Sequence, residues 1–129
     1  MKSTPHQHPG AVLVACAEID YGNTVASFVG GGRTIPQRCH DAAGVLRLVS
    51  RNDFDAIILD LDLNQDSDVD LVSFVREQNP SARLILLFDV HRLEQALDGI
   101  RQGAFFYPPK SSPPSDVALV VSKARQLQS

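Results

Sequence analysis

Along the chain, short apolar runs alternate with segments in which apolar positions recur every three or four residues. Ala11 to Cys16 is uninterrupted apolar sequence, the pattern of a strand buried on both faces. Tyr21, Val25, Phe28 and Val29 then fall at i, i+4, i+7 and i+8, one stripe of a helix that Gly30-Gly31-Gly32 ends. Thr34 to Arg38 reads as a second strand. Pro36 cannot donate to a ladder, so this strand is expected at a sheet edge. Asp41 is suited to cap a helix carrying Ala42, Val45, Leu46 and Val49. Ala56 to Leu61 is a third strand. Asp68 is expected to cap the next helix, which carries Leu71, Val72 and Val75 and stops before Pro80. Leu84 to Phe88 is a fourth strand, and Leu93, Ala96, Leu97 and Ile100 form the apolar face of a helix closed by Gly103. Ala104 to Tyr107 is a short fifth strand. Ser115 opens a last helix with Val117, Val120, Val121 and Ala124 on one face.

Five strand-helix units in series predict an α/β fold with a parallel sheet covered by helices on both faces. Two arrangements satisfy the pattern: the flavodoxin-like order 2-1-3-4-5 and a Rossmann-like half. Pro36 favours the first, which places strand two at an edge. With 129 residues the chain is one domain. Residues 1–10 read as a loose, flexible tail, and residues 11–127 as the domain. In such sheets a site lies at the carboxyl ends of the strands. The residues expected there are Cys16, Ala17, Glu18, Asp60, Asp62, Phe88, Asp89 and Lys110.

Composition narrows the function. Apolar residues make up 43% and charged residues 21%, which excludes a disordered chain. A net charge of −3 argues against nucleic-acid binding by this domain. The longest apolar run, Ala11 to Ala17, is seven residues, far below the ~20 that a membrane span needs. Leu13-Val14-Ala15-Cys16 imitates a lipoprotein processing site, but its apolar stretch is too short for export. Two cysteines, Cys16 and Cys39, make no disulfide framework and suit a reducing cytoplasm.

The strongest chemical signal is acidic. Seven aspartates and no Lys or Arg lie between Asp53 and Asp70. Most read as a solvated loop, but Asp60 sits inside Ile57-Ile58-Leu59-Asp60-Leu61-Asp62, where a carboxylate is costly unless partnered. With a period of two, Asp60 and Asp62 are expected to point the same way. A carboxylate at this position can be a phosphoryl acceptor or a metal ligand. Lys110, just beyond the fifth strand, is its natural partner, as an ion pair or as a point charge for phosphate. Cys16, Cys39 and His40 match no standard zinc spacing. Gly30-Gly31-Gly32-Arg33 follows a helix and precedes a strand, the reverse of a nucleotide fingerprint. A flavodoxin-like cofactor site would need a hydroxyl- and glycine-rich loop after the first strand, where Cys16-Ala17-Glu18-Ile19-Asp20 is acidic instead.

Val12-Leu13-Val14-Ala15, the run Asp55 to Leu63, and Gly103-Ala104 with Tyr107 and Lys110 together resemble a response-regulator receiver domain, the phospho-accepting module of two-component signalling. The resemblance spans about Ala11 to Leu127. It implies that Asp60 takes a phosphoryl group from a histidine kinase and that Lys110 binds the phosphate. It implies that the backbone carbonyl of Asp62 helps hold Mg²⁺, and that Tyr107 is a switch aromatic. The sequence departs from the family pattern at the pocket. Cys16 and Ala17 stand where two metal-binding acids normally follow the first strand, and Glu18 comes one residue late. Phe88 replaces the hydroxyl residue that ends the fourth strand, Asp89 replaces a small one, and Ser111 replaces the proline after Lys110.

These losses compound, because phosphoryl transfer relies on a cation to neutralise the equatorial oxygens. Asp60 and Asp62 alone form a weak metal site, and an incoming dianion would meet Asp60, Asp62 and Asp89 opposed by Lys110. One unrelieved like-charge contact is worth about 4 kcal/mol at an effective dielectric of about 20. The expectation is a cytoplasmic receiver-like signalling domain that is not an enzyme. It has a degenerate acceptor site, binds Mg²⁺ weakly if at all, and needs no other cofactor. Its partner is a protein, either a histidine kinase or an effector domain. It is also open to homodimerisation through the face made by the fourth helix, fifth strand and fifth helix. The alternatives are a functional receiver phosphorylated on Asp60 and a flavodoxin-like cofactor-binding module. The chain ends in helix-compatible sequence, which suits a stand-alone regulator or the amino-terminal part of a longer one.

Overall fold

Parallel pairing of the apolar runs builds the sheet. In the computed structural model, which describes residues 11–29, 35–66, 69–88, 92–104, 113, 115–116, 119–120 and 123, the strands are β1 (Ala11–Ala15), β2 (Ile35–Cys39), β3 (Ala56–Asp60) and β4 (Arg83–Leu87). All pair parallel, in the order β2-β1-β3-β4. β2 lies at an edge, as Pro36 requires. The expected fifth strand, Ala104 to Tyr107, lies outside the described residues beyond Ala104.

The helices are α1 (Ile19–Val29), α2 (Ala42–Arg51), α3 (Leu71–Gln78) and α4 (Leu93–Arg101). Period two along the strands divides the core between the sheet's two faces. Leu13, Ile57, Leu59, Leu84 and Leu86 pack with Val45 and Val49 of α2, Val72 and Val75 of α3 and Ala96 of α4. Val12, Val14, Ile58, Ile85 and Leu87 pack with Val25 and Ala26 of α1 and with Val120. Each buried Leu, Ile or Val contributes roughly 1.5–3 kcal/mol relative to leaving it exposed. Among the described residues, no helix is long and apolar enough to cross a membrane.

Local signals set most helix ends. Asp41 caps α2 as expected, its Oδ1 accepting from the Gly44 amide at 2.7 Å. α3 departs from expectation: Asp70, not Asp68, is its cap, accepting from the amides of Val72 and Ser73. The Asn64 side chain accepts from the Leu71 amide at 2.9 Å, so the first turn is satisfied from two sides. Asp68 itself lies outside the described residues.

The expected face of α1 holds except at Phe28: Val25 is buried with Gly22 and Ala26, Tyr21 and Val29 pack against the core, and Phe28 is 53% exposed. The face of α4 is rotated from its expected position. α4 buries only Ala96 and Gly99. A Cβ at Gly99 would run into the buried Leu86 side chain, so the bare glycine allows α4 to approach β4. That approach turns Leu93, Leu97 and Ile100 toward solvent. Gly103 ends this helix with φ +95°, a conformation costly for any side-chain-bearing residue.

Candidate functional site

Asp60 is the last residue of β3, paired in register with Leu87, and it is completely buried. The chain turns immediately after it into a short 3-10 helix, Leu61–Asp66. Strand alternation therefore does not carry on to Asp62, contrary to the expected shared direction. What reaches Asp60 from residue 62 is the backbone: the Asp62 amide donates to Asp60 Oδ1 at 2.9 Å.

The other carboxylate oxygen faces the end of β1. Asp60 Oδ2 accepts from the Ala17 amide at 3.0 Å and from the Cys16 thiol at 3.4 Å. Cys16 is held there from several directions. Its amide donates to the Cys39 carbonyl at 3.1 Å, extending the β1–β2 ladder past the strand end. Its carbonyl lies 3.1 Å from His40 Nδ1. Gly22 of α1 presses against it so closely that a Cβ at Gly22 would sit 3.1 Å from Cys16 Cβ.

Both acid-replacing residues therefore face Asp60 with donors rather than carboxylates. Glu18, the displaced acid, is exposed, and its carbonyl accepts from the Gly22 amide in the first turn of α1. Phe88 follows β4 directly and is buried in the cluster that packs against α2 and α3. A divalent hard cation seeks several oxygen acceptors. Here the donors on Asp60 include two amides and a thiol, and among the described residues no three His, Cys, Asp or Glu side chains gather to hold a metal ion. Cys16, Cys39 and His40 do not assemble a zinc site. Cys39 instead joins the apolar cluster beside Ala15. Burial, with the nearby Asp41 carboxylate, pushes its thiol up to about 11, against a smaller opposing pull from Arg47.

The sequence reading missed Arg92. Its Nε donates to Asp62 Oδ1 at 2.7 Å, an ion pair with side-chain exposures of 14% for Arg92 and 25% for Asp62. The expected charge balance, with Lys110 alone opposing the acids, is thereby corrected: a guanidinium from the start of α4 neutralises Asp62. Thirty positions separate the two residues, and nothing in local patterning links them. Lys110, Tyr107 and Asp89 lie outside the described residues.

No protein-family model matches the chain. It is similar to the alginate biosynthesis transcriptional regulatory protein AlgB of Pseudomonas putida, 29% identical over 89 residues, which are 69% of this chain and 20% of that protein. The chain thus spans about a fifth of that relative's length. In structure it resembles a response regulator from Burkholderia pseudomallei that carries a phosphorylated aspartic acid. The TM-score is 0.76 and the identity 21%, covering 93% of this chain and 71% of that one. It also resembles the receiver domain of NtrX from Brucella abortus, with a TM-score of 0.75 and 24% identity, covering 89% of this chain and 98% of that one. The parallel order β2-β1-β3-β4, the buried aspartate closing β3 and these likenesses agree: the chain has the receiver-domain fold of two-component response regulators.

Proposed function

We propose that this domain is an atypical receiver that signals by protein-protein interaction, with Asp60 serving chiefly as a structural anchor rather than an efficient phosphoryl acceptor. The observation that carries the reading is the closure of the β1–α1 loop on Asp60. The Ala17 amide and Cys16 thiol occupy Oδ2 on the side where a metal-binding acid pair would be required. Phosphoryl transfer needs a cation to disperse the charge on the transferring group. The neutral amide and thiol donors turned on Asp60 supply no such cation. Asp62 and Asp60 then make at most a weak Mg²⁺ site, and no other cofactor is called for. Lys110 is assigned, by the family resemblance, as the ion-pair or phosphate partner of Asp60. Phe88 and Tyr107 are the switch positions by the same resemblance.

The partner is a protein, a histidine kinase or an effector domain. A second copy of the chain could dock through the face that includes α4, where Leu93, Leu97 and Ile100 are exposed. The second reading is a functional receiver phosphorylated on Asp60. It is favoured by the burial of Asp60 at the carboxyl end of β3 and by the fold shared with the phosphorylated Burkholderia protein.

The two readings separate on incubation with acetyl phosphate and Mg²⁺, read by intact mass. The atypical receiver stays unmodified or is labelled well below stoichiometry. Stoichiometric aspartyl phosphate that disappears in Asp60→Asn would overturn it.

A further inference from the structure

α2 and α3 lie side by side over one face of the sheet, with Val45, Val49, Val72 and Val75 in the core. Their outward surfaces carry opposite charge. α2 exposes Arg47 and Arg51, one turn apart, and has no acid between Ala42 and Arg51. α3 exposes Glu77 and, at its cap, Asp70. The cation of α3 is engaged elsewhere, since Arg76 donates to the carbonyls of Ala82 and Pro80 at 2.8 and 3.1 Å. Although the two helices are neighbours, among the described residues the side chains of Arg47, Arg51 and Glu77 enter no ion pair or hydrogen bond.

Helix chemistry accounts for only half of these charges. Asp70 caps α3, and Arg51, in the last turn of α2, suits the negative end of its helix. Arg47 stands in mid-helix and gains nothing of the kind. Glu77 lies in the last turn of α3, where the helix dipole disfavours an acid. The same two helices leave Leu46 and Phe74 half-buried, packed on the core but not fully covered. Phe74 is one turn from both Asp70 and Glu77, and Leu46 adjoins Arg47. Apolar side chains bordered by exposed charge are the composition of a protein contact.

We propose that the α2–α3 face is a self-complementary docking surface for a second copy of this chain, in which Arg47 and Arg51 of each copy meet Asp70 and Glu77 of the other. Charge complementarity specifies the occupant. A twofold axis parallel to the helices and between α2 and α3 lays the basic helix of each copy on the acidic helix of the other, so the contact is isologous and closes. At a net charge of −3 two copies repel in most orientations, and only a pairing that matches these faces relieves it. Exposed ion pairs are individually weak, so the dimer is expected in the range of about 1 μM to about 1 mM and to be salt-sensitive. The proposal goes beyond the reading of Asp60 and uses no residue of that pocket. Its surface is also distinct from the α4 stripe of Leu93, Leu97 and Ile100.

The test is sedimentation velocity on the full chain, from about 10 μM to about 1 mM protein. The wild type should dimerise at low salt. Its association constant should fall on the order of tenfold or more between about 0.01 M and about 1 M NaCl, as the Debye length shrinks from about 30 to about 3 Å. The double variant Arg47→Glu with Arg51→Glu should be monomeric, and so should Glu77→Arg. Mixed in equal amounts, the two should associate again, because each restores the opposite charge that the other has lost. Thermal melts check that each variant folds. Should the double reversal not fold, Arg47→Gln with Arg51→Gln replaces it and must still weaken association. A wild type that stays monomeric at about 1 mM in low salt would overturn the proposal. So would association indifferent to salt, a mixture that stays monomeric, or a dimer lost in Leu97→Gln, which would assign the contact to the α4 stripe. No phosphodonor is present, so labelling of Asp60 by acetyl phosphate would defeat the atypical-receiver reading without touching this result.

Discussion

The amide of Ala17 donates to Asp60 Oδ2 at 3.0 Å, joining the loop after β1 to the last residue of β3 across 43 positions of sequence. The Cys16 thiol reaches the same oxygen at 3.4 Å, so two donors from the end of β1 meet one carboxylate oxygen.

Cys16→Asp reverses that arrangement. The thiol already lies 3.4 Å from Asp60 Oδ2, so the substitution brings a second carboxylate against the first. Without divalent ions the variant should melt below the wild type. Mg²⁺ at about 100 times its dissociation constant should return roughly 3 kcal/mol, while the wild type stays unmoved. Thermal melts with and without Mg²⁺ decide it, and a wild-type Tm that climbs with Mg²⁺ would count against the atypical reading.

Asn79, 2% exposed, ties the α2–β3 connection to the end of α3. Its Oδ1 accepts from the Phe54 amide at 2.7 Å, and its Nδ2 donates to the carbonyls of Val49 and Asn52 at 2.9 and 3.1 Å. Asn79→Ala strands buried backbone groups and should cost about 3 kcal/mol in urea denaturation. A loss under about 1 kcal/mol would mean that water replaces the amide.

Cys39 supplies a pH dependence. Its thiol is raised from 9.0 to about 11, mainly by burial and next by Asp41. The folded state therefore keeps its proton where the unfolded chain has lost it. The stabilisation is complete below pH 9 and is lost as pH rises from 9 toward 11. Urea midpoints should fall across that window in the wild type and fall less in Cys39→Ala. Identical pH profiles would exclude the thiol as the cause.

Leu97 on α4 is 43% exposed, so Leu97→Gln should change stability by no more than about 0.5 kcal/mol. If α4 contributes to a contact between copies, the same substitution should lower the concentration-dependent mass seen by light scattering. A destabilisation above about 2 kcal/mol would show instead that Leu97 belongs to the core.

The alternation of strand and helix, the parallel sheet, the edge placement of β2 and the cap at Asp41 were all legible in the chain. Each depends on interactions within a few residues or on a periodicity of two or 3.6. Asp60 was legible too, because an acid inside an apolar run is conspicuous without any tertiary information. The rotation of α4 was not. Leu93, Leu97 and Ile100 have the spacing of a buried face, but the close approach at Gly99 to Leu86 outweighs that stripe and turns it to solvent. The shift of the α3 cap from Asp68 to Asp70 was hidden for a similar reason, since the Asn64 side chain satisfies the Leu71 amide from outside the helix.

Sequence by itself determined which residues are apolar, where they recur and that an acidic residue closes a core strand, because these are properties of neighbours along the chain. Tertiary structure alone decided what faces that acid: the Cys16 thiol, the Ala17 amide and, through Asp62, the Arg92 guanidinium. Hydrogen bonds between residues 30 to 44 positions apart leave no periodic trace, and only the folded sheet brings their partners within reach.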